Sequence, residues 1–167
     1  MSFLARGAET LNLLGVIAVI WSVAIASMDV AQRRVPNALT FGAMLLAVIA
    51  FFWTGLSPLG AGGASMLIGA TLSLVLTLPG YLTHKLGAGD VKLLLAIALL
   101  GGTAAVLTSF VVGTLTIVVV AVCWVWLGPG FGFSYPGGKS LPFGAALALG
   151  FVVAVIRGHV GDVPWPY

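Results

Sequence analysis

Two of the chain's four acidic residues, Asp29 and Asp90, stand where long apolar runs end or begin. The other two, Glu9 and Asp162, lie in terminal segments expected to face water. An acid inside a membrane helix costs on the order of 2.5–3.5 kcal/mol at the helix centre and less near the interface. An acid kept at the edge of an apolar run is therefore a functional candidate. The plainer alternative is an interfacial residue facing lipid headgroups. Two carboxylates within reach of each other cannot easily both ionise, so the pair shares a proton. The ionised member can take a proton from water while the protonated one polarises a carbonyl. That is acid–base hydrolysis of a peptide bond with neither metal nor protein nucleophile.

The surroundings of both acids are unusual. Asp90 sits in "HKLGAGDVKLLL" (His84 to Leu95), after Gly87 and Gly89, which let backbone approach backbone or substrate without obstruction. Asp29 is followed by "VAQRRVPN", in which Pro36 and Asn37 read as a helix start. Competing chemistries find little support. His84 and His159 have no cluster of partner ligands, so no metal site is expected. No serine sits in a G-x-S-x-G elbow. The single cysteine, Cys123, lies in an apolar run and reads as a small hydrophobe, which excludes an internal disulfide.

The elements that must carry these acids are membrane helices. Of 167 residues, 60% are hydrophobic and 7% charged, against roughly 25% charged in a soluble domain. So short and apolar a chain cannot hide its side chains in one water-soluble core. The expectation is an all-α, polytopic membrane bundle forming a single domain over residues 1–167. The net charge of +3 comes with no basic stripe interleaved with aromatics, so nucleic-acid binding is not expected. Apolar runs place spans at Leu11–Met28, Ala38–Trp53, Gly60–Thr83 and Pro142–Ile156. The first reads as a retained span rather than a signal peptide. Val91 to Leu127 is too long for one crossing and is broken at Gly101-Gly102; a break nearer Gly113 leaves the count at six. The fourth span, at about ten residues, is then too short to cross about 30 Å, which puts Asp90 below the headgroups. With six spans, Arg33, Arg34, Lys85, Lys92 and Lys139 share one side, and Arg6 and Arg157 the other. The excess of basic residues makes the first side cytoplasmic, leaves both termini outside, and puts both acids on the cytoplasmic side.

Small residues recur every four positions at Ala61, Ser65, Gly69, Ser73 and Thr77, and again at Ala105, Ser109 and Gly113. Such faces allow close helix approach. "GPGFGFSYPGGKS" (Gly128 to Ser140) reads as a mobile loop.

Three segments resemble one family. "GAGDVKLL" (Gly87 to Leu94) is similar to the GxGD-x-K-L signature of type IV prepilin peptidases. "DVAQRRVPNALT" (Asp29 to Thr40) resembles that family's first motif, and "LPFGAALALG" (Leu141 to Gly150) its late proline-phenylalanine-glycine segment. Presenilins and signal peptide peptidases share GxGD but pair it with Tyr-Asp and a later Pro-Ala-Leu. Here Met28 precedes Asp29 and Leu141-Pro142-Phe143 stands late. The resemblance implies an aspartic peptidase of a bacterial or archaeal inner membrane. Such an enzyme removes the leader from prepilins or pseudopilins at the cytoplasmic face, with Asp29 and Asp90 catalytic and no cofactor. Gly87, Gly89, Lys92, Pro36 and Asn37, which stand in the same two motifs, are the candidates for substrate contact. The chain looks like the short form associated with tight-adherence (Flp) pili, without the cysteine-rich region tied to methylation, so cleavage without methylation is expected. Two alternatives compete: a small ion- or proton-coupled transporter subunit using paired acids, and an inactive scaffold of a pilus assembly complex.

Overall fold

The computed structural model describes residues 3–127 and 142–160. The expected loop from Gly128 to Ser140, with Lys139, lies outside the described residues, as does Asp162. Five helices follow in order: α1 (Phe3–Gln32), α2 (Asn37–Thr54), α3 (Gly63–Leu82), α4 (Ala88–Leu127) and α5 (Phe143–Val160).

The boundaries follow local chemistry. Pro36, at φ −64° and ψ 128°, precedes α2 as its N-cap, a place where proline's fixed φ and missing N–H cost nothing. Gly55 ends α2 in the left-handed region (φ 76°), its N–H donating to the Phe51 carbonyl. Arg33 closes α1 with φ 52°, its N–H donating to the Asp29 carbonyl at 2.8 Å. Asp29 therefore occupies the last turn of α1.

The burial pattern is that of helices in lipid. Ile20, Val23, Leu45, Leu67, Val75 and Val125 are exposed, while Ser22, Asp29, Thr40, Ser73, Thr77 and Ser109 are buried. Water would penalise this arrangement; a bilayer does not, because lipid tails are as apolar as leucine. The buried hydroxyls of Ser22, Ser73 and Thr77 donate to Ala18, Ala70 and Ser73 carbonyls of their own helices, at 2.7, 2.7 and 2.6 Å. That keeps these three hydroxyls satisfied without water. The chain is a multi-pass membrane helix bundle. Four described segments are long and apolar enough to cross a membrane: Leu13–Gln32, Asn37–Thr54, Gly63–Leu82 and Ala88–Trp126. The apolar part of α5, Phe143–Gly158, is shorter.

The core lies between α1, α4 and α5, where Ile25, Leu93, Leu94, Ile97, Leu147 and Phe151 are fully buried. α2 and α3 pack on α4. Both small-residue faces are used. A Cβ on Gly69 would lie 3.0 Å from the Gly102 carbonyl carbon, so α3 meets α4 almost backbone to backbone. A Cβ on Gly113 would lie 3.1 Å from the Ala146 backbone, and one on Gly150 2.7 Å from Ser109 Cα.

α4 is not one straight rod. Gly102 has φ 71° and ψ −162°, a conformation essentially reserved for glycine. The break falls at the glycine pair singled out in the sequence. Past it, Ser109 faces Gly150 and Gly113 faces Ala146, so the second half (103–127) runs antiparallel to α5. Thr103 is held to α3: its N–H donates to Ser65 Oγ at 3.0 Å, and its hydroxyl to the Ser65 carbonyl at 2.9 Å. Leu59, in the α2–α3 link, donates its N–H to the Leu100 carbonyl at 3.1 Å. Together these bonds satisfy backbone groups that the break would otherwise leave unpaired in an apolar setting.

Candidate active site

Three helix ends meet at one place. The C-terminal end of α1 brings Asp29, the N-terminal end of α4 brings Asp90, and the N-terminal end of α5 brings Gly144 and Ala145. Asp29 is only 5% exposed. Its Oδ2 accepts the Ala145 N–H at 2.8 Å, one of the donors a helix leaves free in its first turn. Asp90, half-buried, stands in the first turn of α4, where its Oδ2 accepts the Gly87 N–H at 3.2 Å. That is the acid half of a capping box.

The two carboxylates converge. A Cβ built on Gly144 would lie 3.0 Å from Asp29 Oδ2 and 3.0 Å from Asp90 Oδ1. The two oxygens are thus no farther apart than twice that distance. Residues 61 positions apart in sequence face one another across space for little more than a water molecule. The pocket in front of them has a volume of about 560 Å³ and opens at one end of the bundle.

Every candidate named from the sequence lines this pocket: Asp29, Asp90, Gly87, Gly89, Lys92, Pro36 and Asn37. Their parts differ. Lys92 Nζ donates to Asn37 Oδ1 at 3.2 Å and lies 5.2 Å from the Phe41 ring centroid, so it ties the start of α2 to α4. Gly89 packs against the α1–α2 link rather than against Asp29: a Cβ there would sit 3.2 Å from Val35 Cβ. Gly87 has only an ordinary contact at 3.5 Å, and its part is the N–H given to Asp90. Arg33, Arg34 and Lys85 complete a basic rim. His84 does not line the pocket. Among the described residues no group of three or more His, Cys, Asp or Glu could hold a metal.

The residues that sequence reasoning missed are on α5 and on the link. Gly144 and the Ala145 N–H touch the acids, and Val35 and Phe143 help wall the pocket. The segment "LPFGAALALG" stood out only as a likeness. A Pro-Phe-Gly step opening a helix signals free N–H donors there, but not what they face.

The model of the type IV leader peptidase family matches residues 16–125. The chain belongs to the type IV leader peptidase family. No curated protein and no solved structure shows significant similarity to it. Membership makes this membrane bundle a protease of the leader-peptidase type and brings prepilin-type substrates into view. The matched region of this leader-peptidase family member includes Asp29 and Asp90 and ends before α5. α5, whose Ala145 N–H bonds to Asp29, lies outside the matched residues.

Proposed function

We propose that the chain is an aspartic endopeptidase that removes the leader from prepilins or pseudopilins, with Asp29 and Asp90 as its catalytic pair. The observation that carries this reading is the convergence of the two carboxylates on Gly144. In the reaction, one carboxylate takes a proton from a water lodged between them, and that water attacks the scissile carbonyl carbon. The other carboxyl gives its proton to the carbonyl oxygen. The tetrahedral species collapses as the C–N bond breaks and the amine takes up a proton. The backbone N–H groups of Ala145 and Gly87 hold the two acids in place throughout. Gly87, Gly89, Lys92, Pro36 and Asn37 wall the groove that the extended substrate would occupy.

We further propose six crossings, with the break at Gly102 turning α4 into two of them, the pocket facing the cytoplasm and both termini outside. The basic rim supports this orientation through the positive-inside rule. The setting is a bacterial or archaeal inner membrane, and the substrates are prepilins of the tight-adherence type. The transporter alternative would place paired acids near the bilayer midplane; here they stand at one end of the helices.

The test is cleavage by the purified chain, in detergent or nanodiscs, of a prepilin carrying its leader. Leader loss, seen as a mobility shift and confirmed by mass, supports the reading. An intact prepilin in the presence of folded enzyme removes it.

A further inference from the structure

We propose that the first turn of α5 is a positioning element of the dyad: Gly144 sets the spacing of Asp29 and Asp90 by having no side chain, and the Ala145 N–H fixes Asp29. This rests on the aspartic-peptidase reading above. Neither α1 nor α4 alone can set how closely the acids approach. Two carboxylates repel when both are charged, so the groups packed against them must fix the gap. α5 supplies those groups. The Ala145 N–H, 2.8 Å from Asp29 Oδ2, holds that side chain in one direction.

Gly144 is glycine for space and not for backbone conformation. The described glycines with positive φ are Gly55, Gly60 and Gly102, and Gly144 is not among them. A Cβ at 144 would lie 3.0 Å from each of three atoms: Asp29 Oδ2, Asp90 Oδ1 and Val35 Cγ2. Ordinary contact begins near 3.4 Å. One methyl group would therefore push both carboxylates outward by a few tenths of an ångström. Their geometry toward one water and one shared proton is what hydrolysis depends on. No other described glycine has both acids within reach of its Cβ. Gly113 and Gly150, farther along the same contact, meet only backbone of the facing helix.

The experiment compares Gly144→Ala, Ala145→Pro and Gly42→Ala with the wild type, measuring kcat, KM and melting in detergent on one prepilin. Gly144→Ala is expected to lower kcat about 10- to 100-fold, the scale of small misplacements at a reacting centre, with KM within about twofold and melting unchanged. Ala145→Pro deletes the N–H and leaves residue 144 bare; proline is tolerated in a first helical turn, and kcat is expected to fall again at unchanged KM. Gly42→Ala, where nothing lies within 4 Å of the new Cβ, should behave as wild type. The double variant Val35→Ala, Gly144→Ala separates the neighbours: it relieves the Val35 contact but not the acids, so the loss should persist. Wild-type kcat in Gly144→Ala, rescue by Val35→Ala, or a loss that follows early melting would each overturn the proposal. A wild-type enzyme that leaves prepilin intact would instead remove the peptidase reading itself.

Discussion

Asparagine in place of either aspartate keeps the side chain's shape and removes its exchangeable proton. Asp29→Asn and Asp90→Asn should each lower cleavage by at least about 10³-fold while the protein still accumulates in the membrane. The double variant should be no worse than either single one, because residues acting as a unit are not additive. Quantitative band-shift assays against a fixed amount of membrane protein check this, and near-full activity in either single variant sinks the dyad. Gly89→Val tests a neighbouring contact. Its added carbons would strike Val35 in the α1–α2 link, so activity should fall with the protein still accumulating. Asp29 and Asp90 were legible in the sequence because the chain has four acids and only these two border apolar runs. Gly144 was not legible. Its importance comes from two atoms on two other helices, and no spacing along the chain encodes that distance.

At the scale of elements, the decisive feature is the break in α4. Gly102 holds a backbone conformation that costs other residues on the order of 1–3 kcal/mol. A Cβ there would also run into the Ser65 side chain and lie 2.7 Å from Ala61 Cβ. Gly102→Ala should therefore lower the melting temperature sharply and reduce accumulation, more than Gly101→Ala. Ser65→Ala leaves the Thr103 N–H without its acceptor and should destabilise the bundle by about 1–3 kcal/mol, read as earlier melting with kcat unchanged in the folded fraction. A Ser65→Ala protein with wild-type melting would mean that water or another group replaces the hydroxyl. The glycine pair and the small-residue faces marked this contact in the sequence, because close helix approach demands small side chains wherever it occurs. Which face meets which did not follow from periodicity. Nothing in the pattern tells that Gly69 abuts Gly102 or that Ser109 abuts Gly150. The helix ends were legible to within a few residues where proline or glycine stands, as at Pro36 and Gly55, and less so at α1, whose helix continues to Gln32 past the apolar run ending at Met28.

For the whole molecule the question is which end of the bundle faces the cytoplasm. Arg33, Arg34, Lys85 and Lys92 all line the pocket that holds the acids, so they share one end of the bundle whatever the number of crossings. The link between α2 and α3 follows one full apolar helix, Asn37–Thr54, that starts at the pocket, and therefore lies toward the other end. A prepilin presents its leader to the cytoplasm, so the proposed function requires the basic end to be inside. The positive-inside rule gives the same answer independently. Single cysteines can decide it. In a Cys123→Ala background, cysteine at Gln32 or His84, both exposed near the pocket end, should react with an impermeant thiol reagent only after the inner membrane is opened. Cysteine at Gly60, exposed in the α2–α3 link and with open space around its Cβ, should react in cells whose outer membrane alone is permeabilised. Gly60 has φ 86°, so its variant must first be shown to accumulate; Gly62, also exposed and with open space, serves as a second probe on the same link. The reverse labelling pattern would put the acids on the outer face, where no uncleaved leader is available, and the prepilin reading would fall even with the dyad intact.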